Sequence, residues 1–127
     1  CPDDTNSCGV TFVGGGPCTV AGLGNCHDTG VFSYEVSDAT GPLDILFDGP
    51  VDAVEVFFAS TVDGVIGTMS FLDWAGDEIA VLETNGYCGG ATMPNRQWID
   101  LPAAAYSAVV SADGQVWIDT MTVNPMP

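Results

Sequence analysis

The stretch Val51-Asp-Ala-Val-Glu-Val-Phe-Phe58 decides the fold, because its apolar residues recur with a period of two. Successive side chains of a β-strand point to opposite faces of the sheet, so Val54, Val56 and Phe58 share one face. Three bulky apolar side chains on a single face predict a strand that packs against a hydrophobic core.

Most of the remaining chain repeats this alternation in short runs separated by turn residues. The connection 74–77 predicts a hairpin, and Asp113-Gly114 predicts a type I′ turn. No segment has an apolar stripe of helical length, and the best candidate, residues 101–106, is at most one helical turn. The further predicted strands are 9–13, 31–36, 43–47, 65–73, 78–83, 97–101, 106–111 and 115–123.

Short strands at this spacing predict an all-β protein, an antiparallel two-sheet β-sandwich of jelly-roll type. The length of 127 residues allows one domain with one core. We expect residues 1–30 to form a Cys- and Gly-rich N-terminal segment and residues 31–123 the sandwich body. Residues 14–30 are too polar and interrupted for a strand, which predicts a long loop stapled by disulfides.

Five cysteines in so short a chain indicate an oxidising, extracellular or cell-surface compartment. The arrangement we favour joins Cys8 to Cys18 and Cys26 to Cys88 and leaves Cys1 unpaired. Five choices of unpaired cysteine with three pairings each leave fifteen arrangements open. A cysteine at the mature N-terminus would also be a lipidation site of the lipoprotein kind, and this alternative stays open for Cys1.

The charge balance excludes one class of partner. Seventeen acidic residues face a single cation, Arg96, so the formal net charge is −16. A field of this sign repels phosphate backbones and anionic lipid headgroups, so we expect no nucleic-acid binding. No apolar run reaches the length of a membrane span, so we expect none.

Catalysis is not expected either. Cys26-His27-Asp28 has residue types used in nucleophilic catalysis, but consecutive side chains of an extended chain point apart. His27 is the only histidine, and the chain has no lysine, so few groups can transfer protons near neutrality. Paired carboxylates could hydrolyse glycosides, but with seventeen acids some pairs arise by chance. The sequence predicts a protein that is not an enzyme.

Four runs carry a family resemblance: GVTF, FDGPVDAVEVFFAS, LDWAGDEIAVLET and VWIDTMTV. They resemble a diffuse family of secreted bacterial β-sandwich surface domains, which are jelly rolls similar to carbohydrate-binding modules. The resemblance covers about residues 9–123 and implies an extracellular β-sandwich. The Cys-rich insertion 14–30 departs from the family pattern.

The resemblance also implies a structural calcium. The pair Ile118-Asp119 is similar to the last strand of jelly-roll carbohydrate-binding modules, in which the aspartate ligates calcium. Thirteen of the seventeen acids are Asp, which is typical of calcium loops, although no EF-hand motif is present. A strict period of two places Asp119 on one face with Trp117, Met121 and Val123, where an acid needs a partner. The candidate ligands are Asp119, Asp3, Asp4 and Asn6.

Aromatic residues offer a second kind of site. Trp98 and Trp117 lie inside strand patterns, which predicts core packing, whereas Trp74 lies at a hairpin tip and is the candidate glycan platform. Arg96, close to Trp98, could pair with a carboxylate of a neighbouring molecule.

The main functional hypothesis is a non-catalytic extracellular subunit that assembles with itself into a surface, matrix or filament structure. An all-β subunit can polymerise when a terminal strand adds to a neighbour's open edge. The donor would be the N-terminal strand, and the unpaired cysteine or calcium could strengthen the assembly. The alternative is a secreted carbohydrate-binding or adhesion module with glycans as partners. The predicted donor residues are Val10, Thr11, Phe12 and Val13.

Overall fold

The computed structural model of the chain describes residues 9–14, 18–20, 32–36, 41–60, 64–86 and 96–125. This part is all-β and antiparallel, as predicted, and contains no helix, so none that could cross a membrane. Its strands are β1 (Val10–Gly14), β2 (Cys18–Val20), β3 (Phe32–Val36), β4 (Leu43–Ser60), β5 (Gly67–Leu72), β6 (Glu78–Glu83), β7 (Gln97–Ala112) and β8 (Val116–Val123).

Two long strands organise the fold. The strand order is β2-β3-β8-β4-β7-β5-β6, so β4 and β7 lie at the centre and pair along most of their length. The other edge of β4 is divided, because β1 pairs with its first part and β8 with its second part. The sheet therefore has two halves, β1-β4-β7-β5-β6 and β2-β3-β8-β4-β7, which enclose the main core, and Phe57 and Ala59 form a second, small buried cluster. This arrangement is consistent with a β-sandwich.

The alternation of core residues changes phase within β4. Register shifts lie between Leu46 and Val51 and between Val51 and Ala53. A bulge adds residues to one strand of a pair, so the side chains beyond it change faces. The predicted strands 43–47 and 51–58 are therefore one bent strand, and the prediction that Val54, Val56 and Phe58 share the core face is confirmed. The buried residues have odd numbers before the change and even numbers after it: Leu43, Ile45 and Val51, then Val54, Val56 and Phe58.

β7 is also continuous where the sequence predicted two strands and, at best, one helical turn over 101–106. Ala105 is fully buried and pairs with Val51, so the strand runs through this segment. Pro102, which lacks a backbone donor, lies at an exposed position of β7 where the register of β4 is irregular. The prediction of a break was wrong, because β7 continues through residues 101–104 and pairs with β4 on both sides of them, at Asp100 and at Ala105.

β8 contains a bulge as well, opposite the register shift between Glu55 and Phe57 of β4. The predicted separation of Met121 and Val123 from Val116 and Ile118 is therefore wrong, because the extra residue changes the alternation. Four residues of β8 pack in or against the core on the two sides of this bulge: Val116, Ile118, Met121 and Val123.

The N-terminal segment differs from its prediction at one point. Cys18–Val20 forms β2 and pairs with β3, although residues 14–30 were predicted to form a loop. A three-residue strand is too short for its period of two to be recognised in a Gly-rich stretch. The predicted disulfide cysteines Cys8, Cys26 and Cys88, with Cys1, lie outside the described residues, so the disulfides stay predictions, as does the jelly-roll connectivity.

The connection between β7 and β8 is not the predicted type I′ turn. That turn requires positive φ at both central residues, and neither Asp113 nor Gly114 has it. Glycine is needed here for space, because a Cβ on Gly114 would lie 2.6 Å from Cγ2 of Val65.

Candidate functional site

The outer face of the β8-β4-β7 half carries an exposed aromatic residue, Trp98, in the first part of β7. Ile99 and Leu101 pack against the core, so Trp98 and Asp100, which alternate with them, face solvent. Trp98 is 42% exposed. The prediction that Trp98 packs in the core is therefore wrong, whereas Trp117, at 8% exposure, is buried as predicted.

Asp100 holds the indole of Trp98. The Nε1–H of Trp98 donates a hydrogen bond of 2.9 Å to Oδ1 of Asp100. The bond satisfies the indole donor, restricts the ring to one orientation and uses one of the two carboxylate oxygens. A ring that is fixed before a ligand arrives loses less conformational entropy on binding.

An ion pair flanks the ring on the neighbouring strand. Glu55 of β4 is the Cα partner of Trp98. Its Oε1 lies 3.6 Å from Nη1 of Arg96, and the two side chains are 32% and 35% exposed. Arg96 was predicted to pair with a carboxylate of a neighbouring molecule, but it contacts Glu55 of its own chain. We call Glu55, Arg96, Trp98 and Asp100 the Trp98 patch.

The Trp98 patch combines an apolar ring with polar groups at its edge. A flat aromatic ring can stack on the apolar face of a sugar, while carboxylates accept hydrogen bonds from hydroxyl groups and a guanidinium donates them. Binding sites for small polar ligands commonly join an apolar surface to a few oriented polar groups. The patch has the chemical groups that carbohydrate recognition uses.

Trp74 lies at the tip of the β5–β6 hairpin, where the sequence placed it, and is 83% exposed. Oδ1 of Asp73 accepts hydrogen bonds of 2.9 Å from the backbone N–H groups of Ala75 and Asp77. These bonds order the turn that presents the indole. The Trp74 ring meets Tyr106 edge to face, with centroids 5.2 Å apart and an interplanar angle of 73°.

Trp74 and Arg96 do not form one platform. Tyr106, the ring beside Trp74, lies eight residues after Trp98 on β7, beyond the irregular register between Asp100 and Ala105. Arg96 directly precedes β7 and lies with Glu55 at its start. The two predicted platform residues therefore belong to different parts of the surface.

The calcium prediction remains a prediction. Asp119 lies in β8 as the Cα partner of Phe57 of β4, and the other candidate ligands, Asp3, Asp4 and Asn6, lie outside the described residues. In the part that the structure describes, no group of three or more His, Cys, Asp or Glu side chains could hold a metal ion.

The predicted donor strand pairs within its own chain. Val10, Thr11, Phe12 and Val13 belong to β1, which runs antiparallel to the first part of β4, with Val10 opposite Phe47 and Val13 opposite Asp44. Strand addition to another molecule would require β1 to leave β4. Self-assembly therefore stays a prediction for which this geometry offers no support.

Sequence reasoning missed Glu55, Asp100 and the exposure of Trp98. The signal for Trp98 and Asp100 was present in Gln97-Trp-Ile-Asp-Leu101, where Ile99 and Leu101 alternate with Trp98 and Asp100. Assigning the aliphatic pair to the core leaves the tryptophan outside. The contribution of Glu55 had no such signal, because it depends on the register between β4 and β7.

No protein-family model and no curated protein matches the chain. Solved structures of similar shape include the enzymatically active domain of tailspike protein 4 of bacteriophage CBA120, at 16% identity and a TM-score of 0.44. The chain is covered to 90% but spans only 18% of that tailspike chain.

Two other similar structures contain carbohydrate-binding modules. One is a mutant family 29 carbohydrate-binding module, at 10% identity and a TM-score of 0.46, over 88% of this chain and 89% of that one. The other comprises the CBM22-1 and GH10 modules of Clostridium thermocellum endo-1,4-β-D-xylanase 10B with xylohexaose. Its identity is 17% and its TM-score 0.47, over 94% of this chain and 27% of that one.

Proposed function

We propose that this domain binds carbohydrate, without chemical turnover, at the Trp98 patch. The observation that carries the proposal is the exposed indole of Trp98, which Asp100 holds at 2.9 Å on the face of β7 opposite Ile99 and the core. Exposing an indole is unfavourable in water, and its hydrogen bond fixes the ring in a position where a ligand can cover it.

The setting of the carboxylates favours binding over hydrolysis. Glycosidases use one acid and one base in sites that exclude water. Asp100 is exposed and already accepts the indole N–H, while Glu55 contacts Arg96 and is a third exposed. Carboxylates held in this way suit hydrogen bonding to hydroxyl groups.

The proposal includes an extracellular location. Five cysteines suit an oxidising compartment, and a net charge of −16 keeps a small domain soluble near polysaccharide surfaces. Polysaccharides are also found mainly outside cells or on their surfaces, where such a domain would meet them.

A glycan array followed by binding titrations tests the proposal. Trp98→Ala should reduce the affinity for a retained glycan about tenfold or more, since loss of ring stacking removes about 1.4 kcal/mol. Trp74→Ala is the matched control, because it removes an exposed tryptophan elsewhere, and it should leave the affinity unchanged. Unchanged far-UV circular dichroism confirms that both variants fold.

Two results would contradict the proposal. Equal glycan affinity in Trp98→Ala and the wild type would show that the Trp98 patch is not the binding site. A loss of affinity confined to Trp74→Ala would show that the glycan binds at the hairpin tip. Release of shorter oligosaccharides from a retained glycan would show that the domain is an enzyme.

A further inference from the structure

The electrostatic surroundings of Trp98 are one-sided. Among the described residues, two carboxylates, Glu55 and Asp100, lie next to the ring with one cation, Arg96. Arg96 is the only Lys or Arg of the whole chain, and it contacts Glu55 at 3.6 Å. Once this pair is counted as neutral, the charge of Asp100 remains at the edge of the ring. The patch is therefore an aromatic platform with a net negative charge.

We infer that the Trp98 patch prefers polysaccharides that carry protonated amino groups, such as polymers of glucosamine. This inference rests on the proposed carbohydrate-binding function and names its ligand class. An ammonium group near a tryptophan face is attracted by the ring, by about 0.5–1 kcal/mol at exposed sites. The same group can form a charge-assisted hydrogen bond with Asp100.

The position of Asp100 allows both contacts in one ligand. Its Oδ1 is 2.9 Å from the indole nitrogen, so the carboxylate lies beside the ring edge. A sugar stacked on the ring places its substituents near that edge, where an ammonium group can reach the carboxylate. Neutral sugars can use the ring and hydrogen bonds but lack the charge interaction.

The net charge of the whole domain also favours cationic polysaccharides. A net charge of −16 attracts polycations and raises their concentration at the surface, and the effect weakens as salt is added. Polysaccharides with uronate or sulfate groups are anionic, so the negative potential of the domain would repel them. The only guanidinium that could bind them, that of Arg96, already contacts Glu55.

The test compares oligosaccharides of glucosamine with the same oligosaccharides after complete N-acetylation, at one pH and ionic strength. The amine form should bind at least tenfold more tightly, and added salt should narrow the difference. Asp100→Asn should reduce the preference several-fold, because an amide oxygen still accepts the Trp98 N–H but the charge is gone. Asp113→Asn, an exposed site in the β7–β8 connection, is the control with the same change in net charge.

The outcomes separate this inference from the proposed function. Equal binding of both forms, abolished by Trp98→Ala, would overturn the amino-sugar preference and leave carbohydrate binding intact. Binding to no glycan at all would overturn both. If Asp113→Asn lowers the preference as much as Asp100→Asn, the overall field selects the ligand, and the assignment to the patch is wrong.

Discussion

Trp98 and Asp100 form a hydrogen bond between side chains two residues apart on one strand, from Nε1 to Oδ1 at 2.9 Å. Residues at i and i+2 of a strand share a face, so local sequence alone brings the two groups together. The bond needs no distant partner to form. Its consequence is that the orientation of the most exposed ring of β7 depends on one neighbouring carboxylate.

Replacement of Asp100 by Ala should free the indole. We expect lower steady-state anisotropy of Trp98 fluorescence, measured in a background with Trp74 and Trp117 replaced by Phe, and a several-fold weaker glycan affinity. The free energy of unfolding should change by no more than about 1 kcal/mol, because the bond is exposed. Asp100→Asn, which keeps an acceptor oxygen, should retain the anisotropy. Equal anisotropy in the wild type and Asp100→Ala would show that Asp100 does not hold the ring.

The sequence predicts where strands form better than it predicts which of them are continuous. β6 has its predicted limits, and β1, β3, β5 and β8 lie within about two residues of theirs, because alternation is a local property. The continuity of β4 and β7 was missed. Gly49, Pro50 and Pro102 are typical of breaks between strands, but β4 and β7 each continue through them, and long-range pairing resumes on the other side.

The site was harder to predict for the same physical reason. Trp74 was placed at the hairpin tip from turn residues alone, and its exposure follows from that position. Glu55 and Trp98 are 43 residues apart in the chain and become neighbours only through the β4–β7 register. Bulges set this register, and no local pattern reveals where a bulge falls.

Calcium should stabilise the fold if Asp119 is a ligand. Clustered carboxylates repel one another, and a divalent cation replaces that repulsion with attraction. Calcium should then raise the thermal midpoint of the wild type, and a chelator should lower it, with a much smaller difference in Asp119→Ala. Asp113→Asn serves as the control for a change in net charge. The prediction fails if calcium does not shift the wild type, or shifts Asp119→Ala equally.

Asn124, which follows β8, forms hydrogen bonds with residues 50–53 of β4, where the register is irregular. Its Oδ1 accepts a 2.8 Å hydrogen bond from the N–H of Asp52, and its Nδ2 donates one of 3.1 Å to the carbonyl of Pro50. Its backbone N–H donates to the carbonyl of Ala53 at 2.8 Å. Asn124 also has a positive φ of 48°, a conformation that asparagine and glycine tolerate better than other residues.

Two substitutions at Asn124 should separate these contributions. Asn124→Gly loses both side-chain bonds but accepts the backbone conformation, and should lower the free energy of unfolding by about 1 kcal/mol. Asn124→Ala adds backbone strain and should lower it by about 2 kcal/mol. Urea unfolding monitored by circular dichroism measures both. An alanine variant as stable as the glycine variant would show that the positive φ carries no strain.

Gly67, the first residue of β5, packs closely against side chains of β4 and β8. A Cβ at this position would lie 2.9 Å from Cγ1 of Val116 and 3.0 Å from Cζ of Phe58, and both of these residues are fully buried. The backbone of Gly67 is also held by Thr84, because its N–H donates to Oγ1 of Thr84 at 3.2 Å and its carbonyl accepts the N–H of Thr84 at 3.0 Å. Neither the strand nor the core side chains can move away easily.

Gly67→Ala should therefore destabilise the domain by overpacking, with a loss of about 1–3 kcal/mol in the free energy of unfolding. Gly49→Ala is the matched control, because Gly49 lies in a strand as well and a Cβ there meets no atom within 4 Å. Its stability should stay equal to that of the wild type or rise slightly, since alanine restricts the unfolded chain. Chemical denaturation of the three proteins at one temperature gives the comparison. If Gly67→Ala unfolds at the same urea concentration as Gly49→Ala, the halves of the sheet are not packed as closely at Gly67 as the structure places them.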